Sequence, residues 1–130
     1  MRFGPLPVGD APRWVAYTSD ETGRHEIYIR SFSHGGHKWQ ISNDGGFMPQ
    51  WRWDGQELFY IAPDGTLMAV AVNPESSEFG NPQKLFVTGL HFHSYSIWMN
   101  QYGVAKEGQR FLLNRSAERS QVAITAVIPR

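Results

Sequence analysis

The sequence predicts an all-β protein, and three observations predict it. Thirteen glycines and eight prolines punctuate 130 residues, so chain-breaking residues recur every few positions. No window carries apolar residues at i, i+3, i+4 and i+7 over three helical turns. Short apolar runs rich in β-branched and aromatic residues stand between turn signals instead, the pattern of consecutive strands.

Taken in order, Trp14 to Thr18 is apolar and β-prone, and the polar stretch Ser19 to Arg24 connects it to a strand at Glu26 to Arg30. There Ile27 and Ile29 share one face, while Glu26, Tyr28 and Arg30 share the other. Ser33-His34-Gly35-Gly36 turns the chain into a strand at Lys38 to Ser42, and Asn43-Asp44-Gly45-Gly46 is the next turn. The stretch Met48 to Val72 is the clearest, because it holds two Asp-Gly turns, Asp54-Gly55 and Asp64-Gly65, each followed by an apolar run. Asp-Gly between apolar segments is a strong hairpin signal, since glycine takes a positive φ freely and aspartate bonds its own turn backbone. Three antiparallel strands follow: Pro49 to Trp53, Glu57 to Ala62 and Thr66 to Val72. Asn73 to Asn81 is a polar loop leading to a strand at Lys84 to Thr88. An aromatic-rich connection, Leu90 to Asn100, precedes strands at Tyr102 to Ala105, Arg110 to Asn114 and Val122 to Ile128.

Aligned on their turns, these elements repeat. The motif is Pro-x-Trp, turn, apolar run, turn, apolar run, polar connection and a short fourth strand. Residues 1–46, 47–89 and 90–130 each fit parts of it at a spacing of about 40 to 45 residues, and four strands per repeat at that spacing is the arithmetic of a β-propeller blade. The expected architecture is one domain over residues 1–130, with about three blades of four-stranded antiparallel sheet.

The residues that carry the repeat resemble the TolB-like six-bladed propeller family, whose signature is Pro-x-Trp-Ser-Pro-Asp-Gly. Pro49-Gln50-Trp51-Arg52-Trp53-Asp54-Gly55 matches it, with Arg52-Trp53 in place of Ser-Pro. The runs Trp14 to Ser19, Glu26 to Ile29 and Trp39 to Ser42 look like the second, third and fourth strands of such a blade, with Met1 to Leu6 as the innermost. The third unit is worn: Lys106-Glu107-Gly108 stands where Pro-Asp-Gly would, and no fourth strand follows Val122 to Ile128.

The resemblance implies six blades, and three cannot close a ring. An open arc would leave two apolar blade faces in water, against a norm for monomers of patches below about 300 to 600 Å². Either two copies complete a six-bladed homodimeric ring about a two-fold axis, or the chain is the C-terminal piece of a longer propeller. The initial methionine favours the homodimer. In that ring the N-terminal segment would pair with the partner's unfinished third blade and hide an edge strand.

Composition narrows the partners. Lys plus Arg equals Asp plus Glu at 12 each, so net charge offers no footprint for nucleic acid or an anionic membrane. No apolar run approaches the roughly 18 residues of a membrane span, and the N-terminus lacks the apolar core of a signal peptide. Location is open, with the cytoplasm as default. There is no cysteine, which removes disulfides and thiolate metal sites.

Candidate chemistry is sparse. His91-Phe92-His93 places two imidazoles on one strand face, but a metal site needs further ligands and Leu85 to Lys106 contains no Asp or Glu. His34 and His37 flank a turn and read as solvated. The aspartates of the Asp-Gly turns read as turn formers rather than catalytic carboxylates. No nucleophile elbow, phosphate loop or zinc-protease motif occurs. No metal or cofactor is expected.

The expected function is a non-enzymatic binding or assembly module, taking a protein, peptide or small ligand at a mouth of the central channel. The binding candidates are Phe47, Met48 and Pro49, leading into an innermost strand, and Tyr95 and Trp98 in the aromatic connection, which suit an oligomer contact or core plug first and a ligand or partner site second. The rival reading is an accessory or gating propeller of a hydrolase, or a histidine-based metal-dependent hydrolase.

Overall fold

The computed structural model describes residues 2–3, 14–31, 36–73, 75–90, 102–105, 108–116 and 123–129. Their strands are β1 (Arg2–Phe3), β2 (Trp14–Ser19), β3 (Glu26–Ser31), β4 (Lys38–Gln40), β5 (Phe47–Trp51), β6 (Glu57–Ile61), β7 (Thr66–Asn73), β8 (Glu78–Phe79), β9 (Gln83–Val87), β10 (Tyr102–Val104), β11 (Arg110–Ser116) and β12 (Ala123–Pro129). No helix occurs among the described residues, and every strand pair is antiparallel. The chain is all-β, as its turn chemistry predicts.

The strands form separate sheets in sequence order. β1-β2-β3-β4 make the first, β5-β6-β7 with β8 and β9 the second, and β10-β11-β12 the third. Both Asp-Gly turns behave as expected. Asp54 Oδ1 accepts from the Gln56 N–H at 3.0 Å and Asp64 Oδ1 from the Thr66 N–H at 2.9 Å, while Gly55 and Gly65 take φ of 74° and 89°. The strand expected from Pro49 to Trp53 starts earlier, at Phe47, and ends at Trp51. Trp53 belongs to the turn because the Arg52 N–H already bonds the Glu57 carbonyl at 2.9 Å.

The second sheet is the middle layer. Every residue of β6 is buried, and its alternate side chains feed two different cores. Leu58 and Tyr60, with Val70 and Val72 of β7, meet Trp14, Ala16, Ile27 and Ile29 of the first sheet. Phe59 and Ile61, with Leu67 and Ala69 of β7, meet Tyr102, Phe111 and Leu113 of the third. Phe59 is fully enclosed and sits edge-on to Phe111 with ring centroids 5.0 Å apart. Truncating such a phenylalanine to alanine costs about 3–5 kcal/mol. An aromatic cluster closes the first interface at one rim, where Trp14 stacks on Trp51 at 6.2 Å and contacts Phe79 at 5.6 Å.

Candidate functional site

β5 is the hydrogen-bonded edge of the middle sheet, yet it packs against β1, β2 and β3 on one side and β10 on the other. The leading strands β1, β5 and β10 therefore converge. Phe47, Met48 and Pro49 lie on this strand, at the opposite edge of their sheet from β8 and β9.

A bulge shapes this strand. Phe47 pairs with Ile61 and Gln50 with Phe59, so Met48 and Pro49 together oppose the single residue Tyr60. Met48 takes φ of 56°, a left-handed conformation that costs a non-glycine residue on the order of 1 kcal/mol. Tyr102 holds it there. The Tyr102 hydroxyl donates to the Met48 carbonyl at 2.6 Å and lies 3.2 Å from the Phe59 carbonyl, while Gln50 Nε2 donates to the Tyr102 carbonyl at 2.5 Å. Proline suits this edge because it has no N–H to lose from a ladder.

The bulge decides which candidates face outward. Met48 is only 5% exposed and its side chain joins the core between the second and third sheets. Pro49 is buried too, whereas Phe47 is half-buried with its ring 5.5 Å from that of His25. Of these three, Phe47 alone keeps a substantial exposed surface. Tyr95, Trp98, His34, His91 and His93 lie outside the described residues. His37 is exposed, with its ring 5.9 Å from Trp39. Among the described residues, no group of three or more His, Asp or Glu side chains is placed to hold a metal ion.

A second feature arises where two turns meet. A cleft of about 470 Å³ is lined by Asn43, Asp44, Tyr60, Asp64, Met68 and Lys84, with the prolines Pro63 and Pro82 on its walls. Its construction depends on Gly45 and Gly46. Gly45 takes φ of 92°, and a Cβ there would lie 2.4 Å from Pro63 Cγ, so the turn between β4 and β5 rests directly on the turn between β6 and β7. A Cβ on Gly46 would lie 3.1 Å from Tyr60 Cδ2, which leaves the Tyr60 ring room to lie against the backbone.

Glu26 anchors the first of these turns from inside. Its side chain is 1% exposed and accepts from the Ser42 hydroxyl at 2.6 Å, the Gly45 N–H at 2.8 Å and Arg24 at 3.1 Å. A buried carboxylate is tolerable because it is paired and multiply hydrogen-bonded. Burial, reinforced by the nearby charges of Glu26 and Asp44, pushes the Tyr60 phenol up to about 12. Hydrogen bonds from Thr66, with Lys84 nearby, hold the Asp64 carboxyl below its ordinary value.

The sequence does not announce this cleft. Asn43 to Gly46 and Asp64-Gly65 read correctly as turns, but their contact is tertiary, and the Gly45-Gly46 doublet was its sole local signal. No protein-family model matches the chain, and no curated protein matches it.

Proposed function

We propose that the protein is a non-enzymatic binding and assembly module, in which the three sheets are successive blades of a TolB-like propeller and two chains complete a six-bladed ring. The observation that carries this reading is the convergence of β1, β5 and β10, with each sheet stacked face to face on the next. Propeller blades meet in this way, leading strands toward an axis and faces against neighbours. The Pro49-x-Trp51 motif lies on the middle leading strand, in keeping with the resemblance.

The two outward faces supply the reason to self-associate. On the first sheet, the face turned from the second carries Val15, Tyr17 and Tyr28; Val15 and Tyr28 are already buried within the chain, and Tyr17, half-buried with its ring 5.7 Å from that of Tyr28, is the one left for a partner. The Tyr28 hydroxyl is buried with no hydrogen-bond partner among the described residues, a state that costs about 1–3 kcal/mol unless a further group reaches it. On the third sheet, Leu112 points away from the Phe111 and Leu113 core and is 48% exposed. In the ring, the first sheet of one protomer meets the third sheet of its partner at two equivalent places. Partners would bind at a mouth of the channel, close to Phe47.

The absence of cysteine makes a direct test simple. Tyr17→Cys and Leu112→Cys, combined in one chain, place a thiol on each outward face. A short bismaleimide is expected to link the double variant into a covalent dimer, while each single variant stays monomeric under denaturing electrophoresis. Equal linking by the single variants, or none by the double variant, would contradict the ring.

A further inference from the structure

We propose that the outer edge of the first sheet, together with the groove between β4 and β8, takes an extended segment of another polypeptide as an added antiparallel strand, with uncharged side chains at alternate positions. Every group involved belongs to one chain, so the site stands apart from ring closure.

The edge supplies the first observation. β4 ends the first sheet, and its ladder fixes which of its backbone groups are engaged. The Ser31 N–H donates to the His37 carbonyl at 2.9 Å and the Ile41 N–H to the Ile27 carbonyl at 2.8 Å, with Ile29 opposite Trp39 between them. His37, Trp39 and Ile41 therefore face β3, while the N–H and C=O groups of Lys38 and Gln40 point outward. No described residue bonds those outward groups. Lysine on an edge strand ordinarily guards it. Here Lys38 is drawn back onto the face of its own sheet, 2.5 Å from Glu21 and 5.5 Å from the centre of the Tyr28 ring.

The groove is the second observation, and it lies where the side chains of an added strand would fall. A strand antiparallel to β4 exchanges bonds with Lys38 and Gln40 through alternate residues, and the residues between them turn toward the face of Trp39. On that face are two clefts of about 440 and 350 Å³. Both are lined by Trp39 and Ser77, so they adjoin. Trp39 is half-buried with its ring 5.1 Å from that of Phe79, which gives the groove an aromatic floor. Among the described residues, no Asp, Glu, Lys or Arg lines either cleft, and burying an unpaired charge there would be costly. Uncharged side chains at i and i+2 of the added strand fit both.

An aromatic floor with amide neighbours also suits a neutral sugar. The open edge decides for a peptide, because a repeating N–H and C=O pattern is what Lys38 and Gln40 leave unmet, and strand addition combines such main-chain bonds with pockets for alternate side chains.

Amide-shift titration of the intact chain tests this. The probe is acetyl-Thr-Val-Thr-Val-Thr amide, whose valines enter the clefts while its threonines bond β4; the controls are the same peptide N-methylated at its threonines, and maltose. The peptide is expected to saturate shifts at the Lys38 and Gln40 amides, and the N-methylated peptide to leave them unmoved. Gln40→Pro removes an outward N–H and no ladder bond, as an edge strand tolerates, and is expected to weaken binding about fivefold, the worth of one hydrogen bond. Ser77→Asp brings a charge to both clefts at an exposed residue with φ of 57°, a backbone that aspartate accepts, and is expected to weaken binding about tenfold. Equal affinity for the two peptides, unchanged affinity in both variants, or no saturable shift with the peptide overturns the proposal. Shifts at Trp39 with maltose but not with the peptide would assign the groove to a sugar and overturn it as well.

Discussion

Tyr60 joins three roles in one side chain: its ring packs in the core between the first and second sheets, its edge lies over Gly46, and its hydroxyl ends in the cleft. Its elevated titration has a consequence for stability. The ordinary value of 10.0 rises to about 12 in the folded chain, chiefly through burial. Above pH 10 an unfolded chain gains by ionising where the folded chain does not, so Tyr60 contributes stability that is intact below that pH and lost as pH rises toward 12. Thermal unfolding of wild type and Tyr60→Phe across pH 8 to 11.5 checks this. The variant is expected to lose less stability than wild type over the alkaline arm, with the two curves parallel below pH 9. Parallel curves throughout would mean that the phenol titrates normally.

At the scale of elements, the bulge in β5 is the feature on which the rest depends. It turns Met48 into the second core, leaves Phe47 near the surface and binds the third sheet to the second through Tyr102. Tyr102→Phe removes the donor to the Met48 carbonyl and is expected to destabilise the fold by about 1–3 kcal/mol. Hydrogen exchange should quicken in β5 and β10 before it does in β2 and β3. Uniform acceleration over all three sheets would contradict a local staple.

Most elements were legible because their determinants are local. Asp54-Gly55 and Asp64-Gly65 set two hairpins through contacts two residues long, and the alternation of β6 and β7 follows from having a sheet on each face. The misses have tertiary causes. Glu78–Phe79 lies within a stretch that reads as polar loop, yet it pairs with Val72 and Asn73, and Phe79 packs on Trp14 and Trp39 from the first sheet. Met48 reads as a binding candidate leading into an innermost strand, and nothing in its neighbours announces a bulge; Tyr102, more than fifty positions away, holds it there. The cleft follows the same rule, since Gly45 meets Pro63 only after both sheets have formed.

For the molecule as a whole, one physical argument runs through the account: the middle sheet has both faces covered, while each outer sheet has one face covered by a described neighbour. Leu112, 48% exposed, and the half-buried Tyr17 lie on the other faces. A second copy of the chain that brings its third sheet to the first would enclose them and close the arc of leading strands into a ring, and a protomer that loses its partner would lose stability with it. The most direct measurement is the mass in solution by light scattering over a dilution series, with the thermal midpoint recorded at each concentration. The account predicts a mass near twice 14.8 kDa and a midpoint that falls on dilution. A monomer at every concentration, with a constant midpoint, would contradict it.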